Sequence, residues 1–284
     1  MKTVMVATDF SERSDRALRR ATLLAKKFGA EVSIVHVVDD DQPARIVESE
    51  REVAATLLRE LQLTVIEVDG IGCEVAVAVA APFAGIARTV EQISPDLLVM
   101  GPHRRRVLRD VFVGTTAERT IRSVGCPVLM VNAPPFGHYR RAMLTTDFSE
   151  GARHAAQAFA KMEIGRDAEI SILHVFDAPL PHHVMISKEE REAYLAEQRN
   201  SAAQKLAEIV TSLDAGQVEQ IVRPPTLSPA LDILAAGKTV GADLIVVGTH
   251  DKRRLTKPFP GSVAEEVPRL AHHDILAVPP AEPP

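Results

Sequence analysis

Apolar positions along the first half of the chain alternate between two rhythms. A β-rich run at residues 2–8 is followed by Ala17, Leu18, Ala21, Leu24, Ala25 and Phe28, spaced as one face of a helix. The pattern then predicts a strand at 31–38, a long charged helix from about residue 44, a strand near 73–79 and a helix opening near Pro82, where proline suits the first turn. A strand from Asp96 to Gly101, a loop over 102–113, a helix from about 115 and a strand from Pro127 to Val131 complete the series. Strands that alternate with helices, and that read as unbroken apolar runs such as Leu97–Met100, predict a parallel sheet covered on both faces.

The second half repeats the first. Thr-Asp-Phe-Ser-Glu at 8–12 returns at 146–150, and the strand Glu31–Val37 returns as Glu169–Val175, both at an offset of 138. The helix face returns as Ala155, Ala156, Phe159 and Met162. Further on, Pro95–Gly101 matches Ala242–Gly248 and Gly114-Thr115 matches Gly261-Ser262, now at an offset of 147, so the second half carries nine extra residues between His174 and Pro229. The joint is Asn132–His138, rich in proline and glycine. Two tandem α/β domains of five parallel strands, 1–133 and 138–284, are expected.

Composition narrows the function. With 46% hydrophobic and 25% charged residues the chain reads as soluble and globular. The longest weakly polar stretch, Val75–Ala87, is interrupted by Pro82 and Gly85 and falls short of a membrane span. No export signal is read at the start, and Cys73 and Cys126, 53 residues apart, form neither a disulfide framework nor a paired zinc motif. Buried thiols in a reducing cytoplasm are expected. A net charge of −5, a pI near 6.1 and 4% aromatic residues argue against a general nucleic-acid binder.

Ligands on such sheets bind at the carboxyl ends of the strands, near the point where strand order reverses. There the first half places Asp9, Val37 and the loop from Gly101 to Thr116; the second places Asp147, Val175 and Gly248 to Ser262. A strand-end Asp accepts from a sugar hydroxyl or base amine, and a valine backbone reads an adenine edge. Asp9 and Asp147, with Ser11 and Ser149, read equally well as helix caps. Gly114-Thr115-Thr116 and Gly261-Ser262 open helices whose N–H groups favour phosphate. Before them, Arg104, Arg105, Arg106 and Arg109 against Asp110, and Lys252, Arg253, Arg254 and Lys257 against Asp251, each give a local charge of +3. Two such loops in an acidic chain read as anion-facing elements or as solvated surface. His103 and His250 flank them, as ligands or as loop-backbone partners. The pairs His182-His183 and His272-His273 lack the spacing of a metal site, and Asp39-Asp40-Asp41 reads as a solvated turn.

Thr-Asp-Phe-Ser-Glu, the His36-Val37 strand end, Asp96–His103, Gly114-Thr115 and Cys126–Met130, with their copies around Asp147, His174-Val175, Asp243–His250 and Gly261-Ser262, resemble the universal stress protein family. The resemblance covers nearly the whole chain and implies two domains of adenine-nucleotide alpha-hydrolase type. It also implies association through the last strands, near 127–131 and 274–278, either within one molecule or in a homodimer. The family's nucleotide-binding members are similar in carrying G-x2-G-x9-G-[S/T]; here Arg104 and Asp251 stand in place of the second glycines. The resemblance implies a cytoplasmic stress-response protein in which ATP or AMP, with magnesium only through the phosphates, regulates rather than reacts. The first half is favoured because Arg104 attracts phosphate where Asp251 repels it. A slow ATP-hydrolysing enzyme, or a nucleotide-free scaffold for another ligand or protein, are the alternatives.

Overall fold

The computed structural model describes residues 1–102, 116–176, 187–213, 217–224, 226, 228–249 and 263–281. In the first half β1 (Thr3–Thr8), α1 (Glu12–Phe28), β2 (Glu31–Val38), α2 (Ala44–Thr64), β3 (Cys73–Val79), α3 (Pro82–Ile93), β4 (Leu97–Met100), α4 (Thr116–Ser123) and β5 (Val128–Met130) follow the predicted order. The second half repeats it as β6 (Arg141–Thr145), α5 (Glu150–Met162), β7 (Glu169–Val175), α6 (Lys188–Ser212), β8 (Val218–Arg223), α7 (Pro229–Val240), β9 (Leu244–Gly248), α8 (Val263–Leu270) and β10 (Asp274–Val278). A turn of π-helix, Val65–Asp69, extends α2 and ends at Gly70 in the left-handed region. The extra length of the second half is consistent with a longer β7–α6 connection and a helix of 25 residues where α2 has 21.

Ten strands form one sheet in the order β3-β2-β1-β4-β5-β10-β9-β6-β7-β8. Within each half the neighbours are parallel. Between the halves β5 and β10 are antiparallel, with Met130 opposite Ile275 and Val128 opposite Ala277. The carboxyl edges of the two halves therefore lie at opposite ends of the sheet. Helices α1 and α2 share a core with Val4, Val6 and Ile34, while α3 and α4 share one with Met5, Val35 and Leu98. The period of two in side-chain direction produces this division.

A buried polar cluster locks the seam. Asp274, with no solvent exposure, accepts through Oδ1 from the backbone of Asn132 at 2.9 Å and Ala133 at 3.0 Å. Its Oδ2 accepts from the Tyr139 hydroxyl at 2.7 Å, and Arg20 Nε lies 3.5 Å away. The Arg20 guanidinium sits 4.1 Å above the Tyr139 ring and donates to the Gly137 carbonyl at 2.7 Å. The inter-domain segment is thus held by α1 of one half and β10 of the other. Burial pushes the Asp274 carboxyl above the usual range, against the hydrogen bonds and Arg20 that favour its charged form.

Asp274→Ala would leave the Arg20 charge buried beside two unpaired amides and an unpaired hydroxyl. A loss of about 3–5 kcal/mol is expected, read as a drop in the urea midpoint. Arg51→Ala, which breaks an exposed pair with Glu48 at 3.2 Å, should stay within about 0.5 kcal/mol.

Candidate functional site

Each half ends its first strand with the same small device. Thr8 Oγ1 accepts from the Phe10 N–H at 3.1 Å, and its carbonyl accepts from His36 Nδ1 at 2.9 Å. The Phe10 ring stacks on that imidazole with centroids 4.4 Å apart. In the second half Thr146 holds Phe148 N at 3.0 Å and His174 Nδ1 at 2.7 Å, with the rings 4.1 Å apart. Both phenylalanines have positive φ, 56° and 65°. That backbone conformation is uncommon for a side chain of this size, and here the ring contact and the threonine hydroxyl stabilise it. Phe10, Phe148, His36 and His174 thus have a structural role that the repeated motif alone did not disclose.

Asp9 and Asp147 are exposed at the carboxyl edges. Neither is the N-cap. That place belongs to Ser11 and Ser149, whose N–H groups donate to Asp9 Oδ1 at 3.1 Å and Asp147 Oδ1 at 2.9 Å. The Ser149 hydroxyl accepts from Ala152 N at 3.2 Å, whereas the Ser11 hydroxyl donates to Asp9 and leaves α1 without a side-chain cap. Partial burial works against a charged Asp9, but the Ser11 side chain and backbone, Ser14 and Arg13 outweigh it and hold the carboxyl below the ordinary range.

Val37 and Val175 are half-buried at the ends of β2 and β7. The β1·β2 ladder ends with Thr8 opposite His36, so Val37 stands one residue beyond the last rung. Since Glu31 N donates to Lys2, odd-numbered residues of β2 direct their backbone towards β1. The Val37 carbonyl consequently faces the gap where β1 has turned away, beside Asp9.

Gly101 and Gly248 lie where β4 and β9 end, and helix backbone fills the space a side chain would need. A Cβ on Gly101 would meet the Arg13 carbonyl at 2.7 Å, and one on Gly248 would meet the Gly151 carbonyl at 2.9 Å. Thr116 opens α4. The expected site residues His103, Arg104, Gly114, Thr115, His250, Gly261 and Ser262, and the basic loops with Asp251, lie outside the described residues.

The contact at Gly101 exposes a residue that sequence reasoning missed. Arg13 sits in the first turn of α1 beside Gly101 and Asp9, and its Nε is buried with no hydrogen-bond partner among the described residues. At the offset of 138 its counterpart is Gly151. Comparing the halves position by position would have flagged it. A second difference lies at the start of the third helix of each half. Gly85 approaches Val37 so closely that a Cβ would meet Val37 Cγ1 at 2.5 Å. Its counterpart is the buried Asp232, which accepts from Thr226 N at 2.9 Å and from the Thr226 hydroxyl.

Residues 1–132 and 138–279 each match the Universal stress protein family. The chain belongs to that family. The universal stress protein MJ0531 of Methanocaldococcus jannaschii is 30% identical over 141 residues, which are 47% of this chain and 83% of that protein. The crystal structure of a universal stress protein from Archaeoglobus fulgidus covers 99% of this chain and 97% of its own, with a TM-score of 0.72 at 19% identity, and shares the fold. A universal stress protein solved in complex with cAMP is 24% identical, covers 47% of this chain and 98% of its own, and has a TM-score of 0.40. Among the described residues, no group of three or more His, Cys, Asp or Glu side chains is arranged to hold a metal, and no helix is long and apolar enough to cross a membrane.

The paired histidines have a consequence for pH. Burial lowers the His36 and His174 imidazoles below the ordinary range, against the threonine carbonyls and nearby aspartates that favour the charged form. The neutral form is therefore favoured in the folded state. The stability this contributes is present above about pH 6.5 and is lost as pH falls below it. The double variant His36→Asn, His174→Asn should show a smaller drop in urea midpoint from about pH 7.5 to about pH 5.5 than the wild type. An unchanged drop would show that these two rings do not titrate on unfolding.

Proposed function

We propose that this universal stress protein is a cytoplasmic, stress-responsive binding protein whose first half takes an adenine nucleotide, ATP or AMP, as a regulatory ligand. The two units of this reading are 1–133 and 138–284, and the antiparallel β5·β10 seam supports taking them as the intramolecular counterpart of a homodimer. The observation that carries the reading is Arg13, whose backbone and Cβ lie beside Gly101 and whose buried Nε has no hydrogen-bond partner among the described residues, with Asp9 and the Val37 carbonyl at the same edge. A guanidinium at a helix start next to an open strand end suits a phosphate-bearing ligand. In this arrangement Asp9 accepts from a ribose hydroxyl, Val37 accepts from the exocyclic amine of adenine, and the start of α4 at Thr116, with Gly114 and Thr115, receives phosphate. His103 and Arg104 stand in the same loop. Magnesium would enter only with the phosphates.

The second half carries the same framework through Asp147, Val175, Gly248, His250, Gly261 and Ser262, but with charges that disfavour an anion. In the alignment of the two halves Gly151 replaces Arg13, Asp251 replaces Arg104, and Asp232 replaces Gly85. All three differences run in one direction. The cytoplasmic setting is supported by two free, buried cysteines, whose thiols burial pushes up to about 11.

Calorimetric titration of the full chain tests the reading. Asp9→Ala and Arg13→Gly should each weaken ATP binding about tenfold, and the Arg13→Gly loss should grow from adenosine through AMP to ATP. Asp147→Ala should leave affinity unchanged. ATP binding that responds to Asp147 and ignores Asp9 and Arg13 would overturn the assignment to the first half. No binding by the wild type, with a different molecule released on denaturation, would favour the scaffold reading.

A further inference from the structure

The Phe10–His36 ring pair, on the α1/α2 layer of the first half, has an internal counterpart in the second. Between the Phe10–His36 stack and α2 lies an open hollow of about 240 Å³, lined also by Glu50, Val53, Ala54 and Leu57. It belongs to the α1/α2 side of the sheet, whereas Val37 packs with the α3/α4 side. Glu50 is held over it by Gln42, whose Nε2 donates to both carboxylate oxygens at 3.2 Å. The segment 39–52 carries six acidic residues against two basic ones. No lysine or arginine is among the residues lining the hollow.

In the second half the same ring pair is already occupied by a cation. Lys205 Nζ lies 5.5 Å from the centroid of the Phe148 ring, which packs on His174. The buried faces of α2 and α6 align at a constant offset of 148, matching Ala54 with Ala202, Leu58 with Leu206 and Val65 with Leu213. At that offset Lys205 corresponds to Leu57, and Glu50 to Gln198. One half thus supplies its own ammonium, and the other removes it, leaves an apolar wall and adds a carboxylate. The two imidazoles register this difference. Burial lowers both, but Glu50 opposes that effect at His36 while Lys205 reinforces it at His174.

We propose that the Phe10–Glu50 hollow binds a small primary alkylammonium, its cationic head over the Phe10 ring against Glu50 and its apolar stem along Val53 and Leu57. The duplicate shows the head-group contact in place, with Lys205 as the tethered equivalent of the ligand. A cation over an aromatic face and paired with a carboxylate gains from both contacts. A flexible stem against half-exposed valine and leucine adds apolar burial. This site is separate from the nucleotide cleft and stands whether or not that cleft is used.

Titration of the full chain with n-pentylammonium, followed by NMR of the Phe10 ring and His36 imidazole resonances, tests the proposal, with 1-pentanol as the neutral comparison. The wild type should bind with a Kd on the order of millimolar, and pentanol at least about tenfold more weakly. Glu50→Gln should weaken pentylammonium about fivefold. Leu57→Lys, which installs the second half's own cation, should abolish the shifts. Lys205→Leu should free the second ring pair, so that Phe148 and His174 resonances respond as well, more weakly than Phe10 and His36 because Gln198 stands where the first half has Glu50. Equal shifts with pentanol, undiminished binding in Glu50→Gln, or no response of Phe10 and His36 at about 50 mM pentylammonium would each overturn the proposal.

Discussion

Asp274 brings a carboxylate with no solvent exposure to the start of β10, where one oxygen is engaged by the joint at Asn132 and Ala133 and the other by Tyr139 just after it. Such a group is tolerated in the interior because backbone amides, a phenol and a guanidinium surround it; removing any of them would expose the cost of burying the rest. The antiparallel pairing of β5 with β10 is only three residue pairs long. Arg20 from α1 and Tyr139, just after the joint, converge on the same carboxylate and add side-chain contacts to that short ladder. From that seam follow the continuous ten-stranded sheet, the coverage of two strand edges that would otherwise be open, and the placement of the two carboxyl edges at opposite ends of the molecule.

Duplication kept the framework and released the charges. The Thr-Asp-Phe-Ser turn keeps its positive-φ phenylalanine packed on a histidine in both halves. It sets where the first strand of each half stops, and so where the next valine carbonyl is left without a neighbouring strand. Residues that add charge around this framework differ instead. Arg13 faces Gly151 across the alignment, Gly85 faces Asp232, and Leu57 faces Lys205. Each exchange sits next to a backbone feature that the two halves share, so the charges around the two edges differ without any change of fold.

The order of elements and the duplication were legible in the sequence because they rest on local periodicity and on repeated short motifs. The strand-end positions of Asp9, Val37, Asp147 and Val175 were legible for the same reason. The role of Asp9 was less so. Local chemistry offered a helix cap or a ligand, and only the turn geometry put Ser11 at the cap and left the aspartate exposed in front of it. Gly101 and Gly248 read as the starts of the two loops, and the structure adds that helix backbone comes close to both.

What the sequence by itself determined is the family, the alternation of strands with helices in each half, and the contrast between Arg104 and Asp251 in the two basic loops. These depend on residue identity and spacing along the chain. Tertiary structure decided which residues meet across long separations: Arg20 with Tyr139 and Asp274, Arg13 with Gly101, His36 with Phe10 beside the hollow it shares with Glu50, and Lys205 with Phe148. No local rule brings such partners together. They meet because strand order reverses beside β1 and β6 and because β5 and β10 run in opposite directions, so the chemistry of each edge is assembled by the sheet.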